Sequence, residues 1–339
     1  MENIDWKNLS FGYIKTDYNI RCRYSDGKWG ELEVHSEETI TMPMAATCLH
    51  YGQEAFEGLK AFRGKDGDIR IFRPEENAKR MQETADYIKM APLPAEKFVE
   101  AVKKVVKLNE KFIPPYGTGA ALYIRPLLIG VSAKVGVHPS DEYLFVVFVS
   151  PVGPYYKNGF KPIDVIVDRE HDRAAPLGTG HIKVGGNYAA SLESAEWAHN
   201  QGYSIVLYLD AKEKKYIDEC GTSNFFGIKG DTYVTPDSHS ILQSITNKSV
   251  MQLAKDMGMK VEPRKVELTE LADFDECGAC GTAAVITPIN QIVDPGTGHT
   301  YTFSDGEKVG PKTQKLYDQL RGIQYGEIED THNWVTSLR

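Results

Sequence analysis

The pattern of apolar and polar positions in the first 150 residues predicts short strands joined by tight turns, followed by helices. Strand-like runs at 60–63 and 68–72 flank the glycine-containing turn 64–67 and predict a β-hairpin. A helix is predicted to begin at Pro74, because proline fits a first helical turn and the acidic Glu75 and Glu76 favour the positive end of the helix dipole.

A second helix is predicted after Pro94, because the apolar residues that follow recur every three or four positions. These residues are Phe98, Ala101, Val102, Val105 and Leu108. The apolar runs 120–131 and 143–149 predict two further strands.

The segment 151–162 is dense in proline and glycine and predicts a linker, after which strands and helices resume. Strands are predicted at 163–168, 203–208, 216–219, 224–229 and 232–235, helices at 188–198, 246–258 and 311–322, and an irregular segment at 169–181. We therefore expect a mixed α/β (α+β) fold in two domains, 1–155 and 169–339, joined by a linker region at 156–168. The prior of about 150 residues per domain agrees with two domains, and a site is expected between them.

Composition narrows the class of protein. The 339 residues are 41 % hydrophobic and 25 % charged, which excludes a disordered or fibrous chain. The net charge of −8 and the lack of a basic run argue against a nucleic-acid partner. The first residues lack the features of a signal peptide, the most apolar stretch is far too short to span a membrane, and the five cysteines are an odd number. We expect a cytoplasmic protein with no membrane partner.

Lys183 is a candidate nucleophile or base, because it lies in a segment with four glycines, GTGHIKVGGNY (178–188). Glycines allow close approach of a ligand, and a crowded lysine can lose its proton. The alternative is a solvated lysine beside a helix that begins with Asn187 as its N-cap.

Glu219 is a candidate partner for a bound cation, since it lies in a run, DECGTSNFF (218–226), whose pattern otherwise indicates a half-buried segment. A buried carboxylate needs a countercharge, such as a pyridinium nitrogen. The alternative is an edge-strand glutamate that faces water. Two further segments can offer backbone N–H groups to an anion: Ile245-Thr246-Asn247, which opens a predicted helix, and the small-residue turn 278–284. Every helix has such an N-terminus, so this signal alone carries little weight.

Cys277 and Cys280 form a CxxC motif without a second ligand pair, so we interpret them as two buried small hydrophobic residues rather than a zinc or redox site. The acidic cluster 273–276 is interpreted as a solvated face, and no metal is expected. Walker, GxGxxG, HExxH and GxSxG signatures are absent from the sequence.

Taken in order, eight segments resemble the branched-chain amino acid aminotransferases, which have the D-amino-acid-aminotransferase type of pyridoxal phosphate fold (fold type IV). The segments are HYGQEAFEGLKAFRG (50–64), IRIFRP (69–74), LYIRPLLIG (122–130), SPVGPYY (150–156), KVGGNYAAS (183–191), DECGTSNFF (218–226), CGTAAVITPI (280–289) and RGIQYG (321–326). The resemblance runs over nearly the whole chain and implies pyridoxal 5'-phosphate as cofactor, bound at the domain interface.

The resemblance implies a role for each matching residue. Lys183 corresponds to the lysine that forms the internal aldimine, and Glu219 to the carboxylate that pairs with the pyridine nitrogen. The other cofactor-binding residues are Tyr188 at the phenolic oxygen, Thr222 beside the ring, and Arg73, Ile245, Thr246 and Thr282 at the phosphate. The residues that correspond to the substrate pocket are Tyr51, Phe56, Tyr123, Arg125, Tyr155, Thr282 and Ala283.

The implied function is reversible ping-pong transamination of L-leucine, L-isoleucine and L-valine with 2-oxoglutarate, in a homodimer whose partner subunit completes the site. A D-amino acid transaminase, an aminodeoxychorismate lyase and a non-catalytic thiol or metal-binding protein are the alternatives. The sequence departs from the family at Gln243-Ser244, where Pro-Gly is usual, and at Asn247, where arginine is usual. The redox CxxC of animal members would fall at Ala284 and Thr287, so that regulation is not expected.

Overall fold

The structure is a computed structural model that describes residues 4–155 and 160–339. Residues 156–159 of the predicted linker lie outside the described residues. Contacts divide the chain into two compact units. The first comprises the described residues within Met1–Tyr155, together with Ile182–Gly185 and Gly322–Arg339, and the second comprises those within Tyr156–His181 and Gly186–Arg321.

The first unit is built on a curled sheet of nine described strands. The strands are β1 (Asn19–Ser25), β2 (Lys28–Trp29), β3 (Glu33–His35), β4 (Glu54–Phe56), β5 (Leu59–Arg63), β6 (Ile69–Phe72), β7 (Ala121–Gly130), β8 (Tyr143–Val152) and β18 (Val335–Ser337). The order is β18-β6-β5-β7-β8-β1-β2, with β3 beside β1 and β4 beside β7. All of these pairs are antiparallel, and the predicted hairpin is confirmed with Ala61 opposite Ile71.

Helices α1 (Thr47–Tyr51), α2 (Pro74–Tyr87) and α3 (Ala95–Leu108) and a 3₁₀ turn (Glu110–Phe112) complete this unit. Helix α2 begins at Pro74 as predicted. The apolar stripe of α3 packs into the core as predicted, except that Val106 is buried and Leu108 is exposed. The reason is that the helix ends at Leu108: the buried Asn109 side chain closes it by donating to the Val105 carbonyl.

The second unit has its own curled sheet of nine described strands, part parallel and part antiparallel. The strands are β9 (Ile163–Asp168), β10 (Ile205–Leu209), β11 (Ile217–Cys220), β12 (Asn224–Lys229), β13 (Thr232–Pro236), β14 (Lys260–Arg264), β15 (Glu276–Gly281), β16 (Val285–Asp294) and β17 (His299–Thr302). The order is β11-β10-β9-β16-β15-β12-β13-β14, with β17 beside β16. The prediction of a mixed α and β fold is confirmed, and 163–168, the end of the predicted linker region, forms a central strand of this sheet.

The other described helices are α4 (Gly185–Ala189), α5 (Leu192–Asn200), α6 (Ile245–Asp256) and α7 (Pro311–Tyr325), with a 3₁₀ turn (Leu268–Asp273). The first residue of α4 and the last turn of α7 belong to the first unit. The prediction of one helix over 188–198 is wrong, because the helix is interrupted after Ala189 and a second one begins at Leu192. The hydroxyl and the N–H of Ser191 both bond to the Tyr188 carbonyl. Nor is Asn187 an N-cap: it lies inside α4, where its amide pairs with the Thr179 hydroxyl and carbonyl.

The interpretation of 273–276 as a solvated face is wrong for Glu276. Its carboxylate is buried and accepts hydrogen bonds from the backbone N–H groups of Lys312 (3.0 Å) and Thr313 (2.8 Å). These are first-turn N–H groups of α7, which have no partner inside the helix. A carboxylate at this end also suits the helix dipole, so Glu276 caps α7 from another strand.

Replacing Glu276 by alanine should lower the free energy of unfolding by about 1–2 kcal/mol, because two helix N–H groups lose their acceptor. The shift of the urea midpoint measures this loss. Asp273→Ala is the matched control, since Asp273 forms an exposed ion pair with Lys229 that should contribute less than about 1 kcal/mol. Equal losses in the two variants would contradict the capping role.

The five cysteines are free, and Cys277 and Cys280 are buried on β15, as interpreted from the sequence. Burial raises the pKa of Cys280 to about 12 and raises the pKa of Cys277 well above its usual value. Such thiols are poor nucleophiles and poor metal ligands near neutral pH. None of the helices among the described residues is long and apolar enough to cross a membrane.

Candidate active site

The segment that carries Lys183, Ile182–Gly185, groups with the first unit although both neighbouring segments belong to the second. Three bonds hold its backbone. The Lys183 N–H donates to the Thr84 hydroxyl (3.1 Å), its carbonyl accepts from the Phe56 N–H (3.2 Å), and the Gly185 N–H donates to the Glu54 carboxylate. Helix α2 and strand β4 therefore fix the backbone from which the lysine side chain extends.

The Lys183 amine lies in surroundings that favour its neutral form. It is half-buried, with Nζ 4.7 Å from the centroid of the Phe56 ring. Burial, and next the positive charge of Arg80, lower the pKa of Lys183 to about 8. About a tenth of such a group is neutral at pH 7, against fewer than about one in a thousand for an exposed lysine. The alternative of a solvated surface lysine is therefore not what the structure shows.

An aromatic cluster connects Lys183 with three more of the predicted site residues. The Arg125 guanidinium lies 5.0 Å from the same Phe56 ring and 5.2 Å from the Tyr123 ring, and its Nη2 donates to the Tyr123 hydroxyl at 3.1 Å. Phe11 packs edge-on against both Tyr123 and Tyr155, with centroids 5.3 and 5.2 Å apart. Phe11 comes from a segment without any sequence signal.

Arg125 carries a buried donor whose acceptor is missing from the described part of the chain. Its Nε is inaccessible to solvent and has no hydrogen-bond partner within residues 4–155 and 160–339. Tyr123 and Arg125 share a face of β7, because alternate residues of a strand point the same way. An unsatisfied buried N–H of a cation costs free energy until an anion meets it, so this position is suited to a ligand carboxylate.

Beneath Lys183 lies a buried polar network that the sequence did not reveal. The Glu57 carboxylate is fully buried and accepts two bonds from Arg80 (both 2.7 Å) and one from Asn77 (2.7 Å). Asn77, Arg80 and Thr84 are spaced to share one face of α2, which is the signal that could have identified them. This network carries the charges that act on Lys183.

Arg73 and Tyr51 lie elsewhere in the first unit. Arg73 precedes α2 in a left-handed conformation (φ 50°), its N–H donates to the Trp334 carbonyl at 2.7 Å, and its guanidinium lies 5.0 Å from the Trp334 ring. Trp334 holds this arginine at a helix N-terminus and was missed from the sequence. Tyr51 ends α1, is 39 % exposed, and its hydroxyl donates to the Val135 carbonyl.

In the second unit, Glu219 is buried, and the alternative of a water-facing glutamate is wrong. Although β11 lies at the end of its sheet, Glu219 is 3 % exposed. Its Oε1 accepts from Arg173 Nε (2.9 Å) and the Leu242 N–H (3.0 Å). Its Oε2 accepts from Asn224 at 3.5 Å, a long bond that a closer donor could replace. Arg173, from the irregular segment before Lys183, is the countercharge that sequence reasoning did not identify.

The start of α6, which the sequence predicts as an anion site, has a capping hydroxyl and first-turn N–H groups. The Ser244 hydroxyl accepts from the Asn247 N–H at 3.1 Å, which leaves the first N–H groups, of Ile245 and Thr246, for a ligand. The Asn247 amide bonds to the hydroxyls of Tyr233 (2.7 Å) and Thr235 (3.0 Å). The two departures from the family pattern thus supply a helix cap and an anchor to β13.

Two small-residue turns lie side by side in this unit. Strand pairing sets Asn224 opposite Cys280, so the turn holding Thr222 lies beside the turn holding Thr282 and Ala283. Across the described ranges, the buried Ser223 hydroxyl finds no hydrogen-bond partner.

Backbone strain marks the same place. Val285 follows these turns at φ 62°, a conformation that costs a β-branched residue about 1–3 kcal/mol and that clusters at ligand sites. Tyr188 lies in α4 and is half-buried.

The first unit carries an amine of lowered pKa beside a buried guanidinium. The second carries a buried carboxylate and a helix N-terminus of the kind that binds anions. A family model described as amino-transferase class IV matches residues 54–292. That span exceeds half of the chain, and the chain belongs to the class IV aminotransferase family.

Within this family the chain is similar to branched-chain-amino-acid aminotransferases. A Haemophilus influenzae protein of that name is 48 % identical over 345 aligned positions that cover 100 % of both chains. The crystal structure of the Escherichia coli branched-chain amino acid aminotransferase has a TM-score of 0.81 and 26 % identity, and covers 96 % of this chain and 100 % of that one. The T.th. branched-chain amino acid aminotransferase, solved in complex with N-(5'-phosphopyridoxyl)-L-glutamate, has a TM-score of 0.77 and 26 % identity over the same shares.

Proposed function

We propose that this protein catalyses the reversible transfer of the amino group of L-leucine, L-isoleucine and L-valine to 2-oxoglutarate, with pyridoxal 5'-phosphate as cofactor and ping-pong kinetics. The observation that carries the proposal is the Phe56 ring, which adjoins both the Lys183 amine and the Arg125 guanidinium. The Lys183 amine and the Arg125 guanidinium lie against the same aromatic ring. This arrangement suits an enzyme that binds an apolar and an acidic substrate in turn. The 48 % identity to a branched-chain-amino-acid aminotransferase supports it.

The donor set fits pyridoxal phosphate group by group. Lys183, with a pKa of about 8, is partly neutral and can react with the cofactor aldehyde. The buried carboxylate of Glu219 can pair with the protonated ring nitrogen. The relative solved with a phosphopyridoxyl-glutamate compound supports this cofactor. We assign Lys183 to the covalent link, Glu219 to the ring nitrogen, Tyr188 to the phenolic oxygen and Thr222 to the ring. We assign the phosphate to Arg73, Thr282 and the N–H groups of Ile245 and Thr246.

When bound, the cofactor supplies the electron sink that stabilises the substrate Cα after it loses a proton. The chain does the rest. The Lys183 amine takes the Cα proton and returns it as a general acid, a role worth about 10²–10⁴-fold in rate. Its depressed pKa keeps part of it neutral for that task. Glu219, held by Arg173, keeps a negative charge where the ring nitrogen must stay protonated.

Substrate recognition divides among the remaining residues. We assign the α-carboxylate to the N–H groups of Thr282 and Ala283, and the apolar side chains to Phe56, Tyr123 and Tyr155. An apolar pocket separates side chains by only about 1–3 kcal/mol per methylene, so all three branched substrates should react. We assign the γ-carboxylate of glutamate to Arg125, whose buried Nε has no hydrogen-bond partner among the described residues.

Replacing Arg125 by leucine should reduce kcat/KM of the 2-oxoglutarate half-reaction by about 10²-fold or more, because a buried carboxylate loses its cation. The leucine half-reaction should lose less than about tenfold. Single-turnover absorbance measurements separate the two. Arg63→Leu is the control, since Arg63 lies on β5 rather than β7 and forms an ion pair with Glu110 at 3.7 Å. Equal losses in both half-reactions would exclude Arg125 as the γ-carboxylate ligand.

We further propose a cytoplasmic homodimer in which the partner subunit completes the site. Exposed apolar side chains around Tyr51 support a subunit contact there: Met44 (90 % exposed), Leu49, Val135 and Val137. The Tyr51–Val135 bond joins the end of α1 to the loop that carries Val135 and Val137. A dimer in sedimentation equilibrium, converted to monomers by Val135→Asp with loss of activity, is the expected result.

The activity itself is tested by incubating the cofactor-loaded protein with 2-oxoglutarate and each amino acid in turn. Glutamate should form with L-leucine, L-isoleucine and L-valine. Product from D-alanine alone would favour a D-amino acid transaminase, and pyruvate from aminodeoxychorismate would favour a lyase. Neither outcome is compatible with the proposal.

A further inference from the structure

We propose that Glu54 is a specificity-determining residue that compensates the Arg125 charge while an apolar side chain occupies the pocket, and so shifts the preference from acidic toward branched-chain substrates. The inference rests on the proposed function and assigns a role to a carboxylate that the mechanism above does not use. Arg125 poses a physical problem for a dual-substrate enzyme, and Glu54 addresses it.

The problem is that the Arg125 guanidinium has a substrate countercharge in only one of the two half-reactions. A guanidinium that binds the γ-carboxylate of glutamate must also remain in place when leucine is bound. With leucine, no substrate anion meets it, and an uncompensated cation in an apolar pocket is costly. A fixed carboxylate nearby lowers that cost for the leucine complex. The same carboxylate repels the γ-carboxylate of glutamate, so it moves the two affinities in opposite directions.

Strand geometry places Glu54 on the face of the site. Glu54 and Phe56 are alternate residues of β4 and point to the same side. That strand lies antiparallel to β7, with Glu54 opposite Ile129 and Phe56 opposite Leu127. Phe56 is the ring that adjoins both Arg125 and Lys183, so the carboxylate borders the surface that a substrate side chain would occupy.

The Glu54 side chain is fixed at its other end by the lysine segment. Its Oε1 accepts from the Gly185 N–H, and an added Cβ at Gly185 would meet the carboxylate at 2.5 Å. Glycine is therefore needed for this close approach. The bond holds the charge in one place, as a compensating group requires.

The electrostatics agree with this placement. Burial raises the pKa of Glu54, while the Gly185 N–H and the charge of Arg125 oppose that rise. Arg125 Nε nevertheless has no hydrogen-bond partner among the residues that the structure describes. The carboxylate therefore acts on the guanidinium through its field and leaves this donor to a substrate carboxylate, which a contact ion pair would block.

The test is Glu54→Gln in the cofactor-loaded enzyme, because glutamine keeps the acceptor for Gly185 and removes only the charge. The kcat/KM of the L-leucine half-reaction should fall about threefold to tenfold, and that of the 2-oxoglutarate half-reaction should rise by a similar factor. Calorimetric titration provides a readout without turnover. The affinity for 4-methylvalerate should fall, and that for glutarate should rise.

Two further carboxylate variants separate charge from structure. Glu54→Asp keeps the charge and should retain the wild-type ratio of the two half-reactions. Glu33→Gln removes a carboxylate that is 69 % exposed on β3 and should change neither. If Glu54→Gln cannot be purified, Glu54→Ala removes the same charge and should shift the ratio in the same direction.

Losses of equal size in both half-reactions, or an unchanged ratio, would overturn the inference and leave Glu54 as a backbone anchor only. Failure of the proposed function looks different, because the wild-type enzyme itself would then not react with L-leucine.

Discussion

Lys183→Ala protein should lose transamination almost entirely, with kcat reduced by at least about 10⁴-fold. Proton transfer by a positioned group contributes about 10²–10⁴-fold, and this substitution also removes the covalent link to the cofactor. A mere rise in KM is not expected, because the amine acts in the chemical step. Steady-state kinetics with L-leucine and 2-oxoglutarate measure both constants.

Lys65→Ala is the matched control, since Lys65 lies exposed in the turn between β5 and β6. Its kcat should equal that of the wild type. Turnover by Lys183→Ala within tenfold of wild type would exclude Lys183 as the proton-transfer group. A second signature concerns pH: the apoprotein should react with pyridoxal phosphate faster as pH rises through about 8, because the neutral amine is the nucleophile.

Glu219→Gln protein should lose about 10²–10³-fold in kcat, the scale of removing one group that stabilises developing charge. The neutral amide can still accept a hydrogen bond, but it cannot hold a proton on the ring nitrogen. The variant also leaves Arg173 without its anion, so a lower unfolding midpoint is expected as well.

The adjacent Asp218→Asn distinguishes catalysis from stability. Asp218 is buried on the same strand and bonds to the hydroxyls of Ser238 (3.1 Å) and Ser240 (2.6 Å). Its replacement should lower stability while kcat stays within about tenfold, since consecutive residues of a strand face opposite sides. If both variants lose kcat to the same degree, Glu219 acts through stability rather than on the cofactor.

Local patterns predicted much of this fold. The β5–β6 hairpin, the start of α2 at Pro74 and the strand Ile163–Asp168 follow from turn residues and apolar spacing over a few positions. The broken helix after Ala189 did not follow, because a hydroxyl at Ser191 and an amide anchored at Thr179 decide it.

The residues of the candidate site were predicted from family motifs, and their roles stay predictions. Their countercharges were not predicted, since each depends on contacts between distant segments. Arg173 precedes Glu219 by 46 positions, and Arg80 follows Glu57 by 23. Trp334 reaches Arg73 from the other end of the chain. No periodicity in a single sequence indicates which buried cation meets which buried anion.

The most direct measurement is the visible absorption of the purified, cofactor-loaded protein during sequential addition of L-leucine and 2-oxoglutarate. The account predicts a yellow protein whose band fades with L-leucine alone and returns with 2-oxoglutarate, because each substrate completes one half of a ping-pong cycle. A protein that stays colourless after incubation with pyridoxal phosphate would contradict the cofactor assignment. A yellow protein that ignores L-leucine but is bleached by D-alanine would contradict the substrate.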